Sequence, residues 1–355
     1  RKLILLFVKG TKHPQSTCIS FRKFCTDHQF ECEVTDNMDE IKISKGEVYI
    51  AIRQLDVVSL IKQSRISGLA CGEDFGLLAY NETPAYEVID KGITTLSIDW
   101  EKMGTLAKEA GMKYAVLTAK HHDGFCLFDS KLTDYKATNT KAGRDLVREF
   151  VDACREEGLK VGLYFSIIDW HHSDFPKYGD RQHPMRNNVA YKDEKIDFDR
   201  YLDYMHGQVK ELVTNYGKLD LLWFDFSYDD MTGEKWKATD LIKMVRHYQP
   251  DVIIDNRLEG AGDNHGSIAT EHPLIYSGDF ASPEQIIPPK GVCDVNGEPI
   301  PWELCATMNN HWGYCNFDHQ YKTPEMLVRK LVECVSKGGN MGTVDIKDTT
   351  KEELS

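Results

Sequence analysis

The 355-residue chain is 41% hydrophobic and 28% charged, the balance of a globular protein with an ordinary core. Its formal net charge is −13 and no basic stripe offsets it, which argues against nucleic-acid binding and leaves a neutral sugar as an easier partner. No run of about eighteen apolar residues occurs, so no membrane-spanning helix is expected.

The first apolar residues, 1–8, mimic the start of a secretory leader. The run is short and no small-residue cleavage site follows, so a strand over 3–8 is expected instead. A helix over 16–28, strands over 31–35 and 47–52, a helix over 57–67 and strands over 76–80 and 93–98 follow. Strands alternating with helices imply a parallel sheet. A helix over 101–110 then continues the chain without a Pro/Gly/Ser-rich hinge. Beyond it come strands over 114–118, 160–166, 219–225 and 252–256, separated by helices over 145–157, 198–216 and 235–248. A last helix is expected over 325–337. Short apolar strands ending in polar residues, each followed by a helix, have the spacing of a (β/α)8-type barrel, with a doubly wound sheet as the alternative. None of the ten cysteines forms a Cys-x-x-Cys pair. Cys18, Cys25 and Cys32 recur every seven residues without a histidine to complete a zinc pattern, so all ten read as reduced packing residues.

The chemistry concentrates at the strand ends. Leu219-Asp-Leu-Leu-Trp-Phe-Asp225 is an apolar run that stops on a carboxylate. At the carboxyl end of a buried parallel strand a side chain points into the crevice where α/β enzymes bind ligands, and Asp also serves as a helix N-cap. Both roles are open for Asp225 on position alone. The other strand ends carry His121 and His122, then Tyr164 with Asp169-Trp-His-His172, then Trp223, then Asp255-Asn-Arg257. In a barrel these converge on one face, and such a mixture suits a sugar: donors and acceptors for hydroxyls, aromatic faces for C–H surfaces. Each has a plainer role too. Adjacent histidines do not point the same way on a strand, which disfavours a metal. His171 and His172 read as solvated loop residues, Tyr164 or Trp170 alone as core, and Arg257 as the partner of a surface carboxylate.

The ordered segments Thr118-Ala-Lys-His-His-Asp-Gly-Phe125, Gly162-Leu-Tyr-Phe-Ser166, Trp223-Phe-Asp225, Asp255-Asn-Arg257, Pro301-Trp-Glu303, Asn309-Asn-His-Trp-Gly-Tyr314 and Ser336-Lys-Gly-Gly-Asn340 together resemble glycoside hydrolase family 29, the α-L-fucosidases, over about residues 104–340. The resemblance implies a retaining, exo-acting hydrolase of terminal α-linked L-fucose, with no cofactor and no metal. It implies Asp225 as nucleophile and His121, His122, Tyr164, Trp223 and Arg257 as residues around the fucose. Trp302 and Trp312 are implied as pocket-lining aromatics. Glu284, in Ser282-Pro-Glu-Gln285, is implied as acid/base on a variable loop, with Glu259 and Glu271 as fallbacks. Retention requires two carboxylates in different states, one ionised to attack and one carrying the proton for the leaving group.

Residues 1–103 are similar instead to the effector-binding domain of LacI/GntR-type regulators, a periplasmic-binding-protein-like or flavodoxin-like α/β segment. The resemblance rests on Gly72-Glu-Asp-Phe-Gly-Leu-Leu-Ala-Tyr-Asn-Glu-Thr-Pro84 and Gly92-Ile-Thr-Thr-Leu-Ser-Ile-Asp-Trp-Glu-Lys-Met-Gly104. The chain thus divides into 1–103, a fucosidase-like barrel over 104–340 and a tail over 341–355. The family's first strand, ending in His-Trp-Gly, is not written, and no apolar last strand follows Asn340, so the barrel is expected to be incomplete at both places. A sugar-binding module without turnover and a composite chain stand as alternative functions. The compartment follows whichever part dominates: periplasmic or secreted for the hydrolase, cytoplasmic for the regulator.

Overall fold

The computed structural model describes residues 2–7, 16–36, 41–80, 86, 89, 90, 92–96, 100–140, 143–261, 264–313, 315 and 317–344. Of the tail expected over 341–355, residues 345–355 lie outside these residues. The chain forms two compact units, Arg1–Asp99 and Trp100–Ser355. The helix expected over 101–110 opens the second unit rather than bridging the two.

In the first unit the order is β1 (Lys2–Leu6), α1 (Ser16–Asp27), β2 (Glu31–Thr35), β3 (Val48–Ala51), α2 (Gln54–Ile66), β4 (Gly76–Tyr80) and β5 (Ile93–Leu96). All pairings are parallel and the strand order is β2-β1-β3-β4-β5. That is the flavodoxin-like order. The run Lys-Leu-Ile-Leu-Leu buries both faces, as a doubly covered parallel strand must. Ile4 and Leu6 pack with Val57, Leu60 and Ile61 of α2, while Leu5 and Phe7 pack with Phe21 and Cys25 of α1.

The second unit runs α3 (Trp100–Glu109), β6 (Tyr114–Lys120), α4 (Leu146–Glu156), β7 (Lys160–Ser166), α5 (Phe198–Asn215), β8 (Leu221–Asp225), α6 (Ala238–Tyr248), β9 (Ile253–Ile254), β10 (Trp302–Thr307), α7 (Pro324–Ser336) and β11 (Gly339–Val344). Strands β6 to β9 form one parallel sheet and β10 and β11 another. Residues 280–284 bridge the two, because Phe280 pairs with Asp255 while Ala281 and Glu284 pair with Trp302 and Cys305. The helices start where their sequence says. Asp145 accepts from Arg148 N, Asp197 from Arg200 N and Thr323 from Met326 N, satisfying donors the first turn leaves open.

Strand alternation sorts side chains between two cores. Leu163, Phe165, Leu222 and Phe224 face the helices, against Phe150 and Val151 of α4, Met205 and Val209 of α5 and Ile242 of α6. Tyr164, Leu221 and Trp223 point the other way, with Tyr114, Phe280 and Cys305. This inner face is the barrel interior. Gly162 is small there because a Cβ would stand 2.7 Å from Val116 Cγ2.

Two strands were not expected: β10, and β11 in the place where no apolar last strand is written. Strand β11 is built on small residues, since a side chain at Gly339 would stand 2.2 Å from the Trp302 ring and one at Gly342 would press on Glu303. Among the described residues β7 is the only strand beside β6 in its sheet, and β10 the only one beside β11. Val116 on the inner face of β6 is accordingly 37% exposed. Across this seam Tyr114 and Asn340 both donate to the buried Glu303, the second over 3.0 Å.

Candidate active site

The run Leu-Leu-Trp-Phe-Asp ends β8, and the chain leaves it through Phe226 at φ 80°, left-handed for a non-glycine residue. Such strain persists only where the surroundings enforce it, commonly at functional sites. Here the Phe226 ring is held edge-on against His121 and His122, with centroids 5.6 and 5.3 Å away. Asp225 thereby turns to the rim of the barrel interior. It is not a helix cap.

Two partners define its carboxylate. Tyr164, on the neighbouring strand β7, donates to Oδ2 over 2.7 Å, and Arg257 Nη1 faces Oδ1 at 3.4 Å. Burial and the charge of Asp225 push the Tyr164 phenol well above its ordinary range, so it remains a donor. Arg257 is 4% exposed, far from the surface pairing its residue type suggests. Burial opposes its charge, but Asp225 and Glu284 outweigh that and raise its pKa. Its guanidinium lies over the Trp223 ring at 4.9 Å, and Trp223 in turn stacks on Tyr164.

The second carboxylate reaches the same guanidinium. Glu284 Oε2 lies 3.2 Å from Arg257 Nη2. Glu284 sits beside β10 rather than on a free loop, since Cys305 N donates to Pro283 O and Gln285 N to Cys305 O. The fallback carboxylates lie elsewhere: Glu259 Oε2 accepts from Ser267 N and Oγ, and Glu271 is exposed.

His121 and His122 do lie against one another, with ring centroids 3.9 Å apart. The pleat does not forbid this, because both follow the end of β6, in a turn closed by Gly124 N donating to His121 O. His121 also packs on Tyr164, and His122 stacks on Trp170 at 3.7 Å. Burial lowers the pKa of both, that of His122 to about 4. At neutral pH they are neutral hydrogen-bonding groups, so Arg257, not the histidines, supplies the positive charge beside Asp225.

The expected aromatics separate. Trp302 begins β10, at the end of the barrel away from Asp225. It is 3% exposed in a core with Leu304, Ala306 and Cys334 of α7 and donates to Lys337 O, so it packs the helix-facing side of β10 rather than lining the pocket. Trp312 lies on the loop after β10 and is 40% exposed. His172, expected in solvent, packs against Tyr201 and Tyr204; His171 is exposed.

Sequence reasoning placed Asp169 and Asn256 at strand ends but missed what they and their partners support. Lys120 and Asp169 form a fully buried ion pair at 3.2 Å. Asp169 Oδ1 also accepts from His171 N and His172 N, fixing the loop that carries Trp170. A Cβ on Gly124 would stand 2.3 Å from that same oxygen. Asn256 and Ser282, both buried, hold Arg257 from behind. A lysine at a strand end or a serine two residues before a glutamate carries no signal by itself.

Comparison with known proteins agrees with this geometry. The family model described as alpha-L-fucosidase matches residues 71–349. Plasma alpha-L-fucosidase of Rattus norvegicus is 30% identical over 270 residues, covering 74% of this chain and 52% of that protein. The human plasma enzyme is 28% identical with the same coverage. The chain spans about half the length of these relatives, 52%. Among solved structures, alpha-L-fucosidase isoenzyme 1 from Paenibacillus thiaminolyticus is 66% identical with a TM-score of 0.67, covering 70% of this chain and 57% of that one. Alpha-L-fucosidase AlfC from Lactobacillus casei, in complex with its alpha-L-fucose product, is 29% identical with a TM-score of 0.59, covering 73% and 78%. The chain belongs to the α-L-fucosidase family.

Proposed function

We propose that this chain carries the catalytic centre of a retaining exo-α-L-fucosidase that removes terminal α-linked L-fucose from glycans. The observation that carries the proposal is the guanidinium of Arg257 shared between Asp225 and Glu284. Two carboxyls on one guanidinium favour the close spacing of retaining enzymes, about 5–5.5 Å, over the wider gap that admits a water. Asp225, oriented by Tyr164 and Arg257, attacks the anomeric carbon as the bond to the leaving oxygen breaks. Glu284 gives that oxygen its proton. Glu284 then takes a proton from water, whose oxygen attacks the same carbon and frees Asp225. His121 and His122 offer neutral donors and acceptors to sugar hydroxyls, and Trp223 backs the guanidinium.

A related structure holds 4-nitrophenyl-α-L-fucopyranoside as substrate, and the same compound tests this chain. Release of nitrophenol is expected, falling at least about a thousandfold in Asp225→Asn, which removes the nucleophile but keeps its shape. Proton NMR of the first product should show the α-anomer of fucose. Fucose binding by calorimetry with no turnover above the Asp225→Asn level would favour the sugar-binding alternative.

A further inference from the structure

Arginine in an ion pair ordinarily presents two parallel N–H groups to one carboxylate. Arg257 does not, and the reason lies behind it. Its Nε donates to Ser282 Oγ over 2.6 Å and its Nη2 to Ser282 O over 2.9 Å, so one serine occupies the side-on edge of the guanidinium. What remains points forward as two separate groups, Nη1 towards Asp225 and the second Nη2 hydrogen towards Glu284. The serine is itself held. Its Oγ and N both donate to Asn256 Oδ1, over 2.9 and 3.0 Å, and Asn256 Nδ2 donates to His265 O. Because the Ser282 hydroxyl hydrogen goes to Asn256, its lone pairs are left to receive Arg257 Nε. Ser282 and Asn256 are 1% and 0% exposed, so water does not compete for these bonds.

The location matters as much as the bonds. Ser282 lies two residues before Glu284 on the segment bridged to β10 at Ala281 and Glu284. The element that presents Glu284 therefore also sets the plane of the guanidinium facing Asp225.

We infer that Ser282 is a positioning residue, which divides Arg257 between the nucleophile and the acid/base and so fixes the two carboxylates relative to each other. The inference rests on the fucosidase reading of the site. Without the hydroxyl, the Nε edge is free and the guanidinium is expected to swing side-on to one carboxylate, leaving the other without its partner.

The experiment compares wild type, Ser282→Ala, Ser282→Cys and Ser282→Thr on a series of aryl α-L-fucosides from 2,4-dinitrophenyl to 4-methoxyphenyl. A dinitrophenolate departs without a proton, whereas the methoxyphenyl fucoside needs correctly placed Glu284. In Ser282→Ala, kcat/KM is expected to fall about tenfold for the dinitrophenyl substrate and about a hundredfold for the methoxyphenyl one, the scale of a hydrogen bond to a charged group. Ser282→Cys keeps the volume and a weak acceptor, so it should fall in between and carries the test if the alanine variant does not fold. Ser282→Thr keeps the hydroxyl and should restore most of the activity. A purely structural role lowers all substrates by one common factor. That outcome, or an alanine or cysteine variant as active as wild type, overturns the inference while the fucosidase reading stands. A wild-type chain that hydrolyses no member of the series overturns the fucosidase reading, and this inference falls with it.

Discussion

Arg257 is the residue on which the two carboxylates depend, and lysine cannot replace it. An ammonium is a single point donor on a flexible stem and cannot face Asp225, Glu284 and the Ser282 carbonyl at fixed angles. Arg257→Lys is expected to lower kcat/KM for the nitrophenyl fucoside by a factor of about a hundred or more, with the fold retained because one positive charge still faces the two partly exposed carboxylates. Steady-state kinetics alongside circular dichroism check this; near-wild-type kcat/KM would contradict it. At this scale the sequence is informative where a residue ends a strand. Asp225, Tyr164, His121 and Arg257 stand at or beside the ends of their strands and meet because parallel strands bring those ends together. The sequence is silent where a role depends on a partner distant in the chain. Lys120 needs Asp169, and Ser282 needs Arg257, and no local pattern announces either pairing. Trp302 shows the opposite failure: the tryptophan that belongs to a family motif packs over Gly339 on the side facing α7 instead of the pocket.

At the level of elements, the seam between β6 and β11 is held by side chains where a further strand could stand. Tyr114 from β6 and Asn340 from β11 both donate to Glu303 of β10. Burial raises the Glu303 carboxyl from 4.5 to about 7. Between those values the folded chain keeps a proton that the unfolded chain has released, so stability from this group is complete below about pH 4.5 and is lost as pH rises through about 7. The loss amounts to roughly 2–4 kcal/mol. Glu303→Gln keeps the shape and cannot ionise. Urea midpoints at pH 5 and pH 8.5 should therefore fall for the wild type and change much less for the variant. His122 acts in the other sense, losing stability as pH falls below 6.5 towards its folded value near 4, but it cancels between the two proteins. Equal pH dependence in both would remove Glu303 as the cause. Helices and doubly buried strands were legible here because periodicity and caps are local, as with Asp145 and Asp197. Strand β11 was not, because Gly339-Asn-Met-Gly-Thr-Val344 has no apolar run, and its pairing to β10 is enforced by the bulk of Trp302 and Glu303 across from it.

For the whole molecule, the question is whether the two units respond together. Each has its own buried core, one around Tyr49 and Leu60, the other around Phe165 and Leu222. In the sequence the first stretch alternates strand and helix, while the second repeats strand ends rich in polar residues. The boundary itself, after Asp99, depends on Trp100 packing edge-on to Phe150, 5.5 Å between ring centroids, a contact no periodicity could reveal. Fucose, if it binds at Asp225, contributes binding free energy only to the native state of the second unit. By mass action that stabilises it by about 2.7 kcal/mol at a hundred times the dissociation constant. Scanning calorimetry of the full chain is then expected to show two transitions, of which fucose raises one by several degrees and leaves the other in place. The shifted transition should be the one that Glu303→Gln makes less sensitive to pH, because both changes act on the same core. A single transition that moves as a whole with fucose would show that the two cores unfold as one cooperative unit.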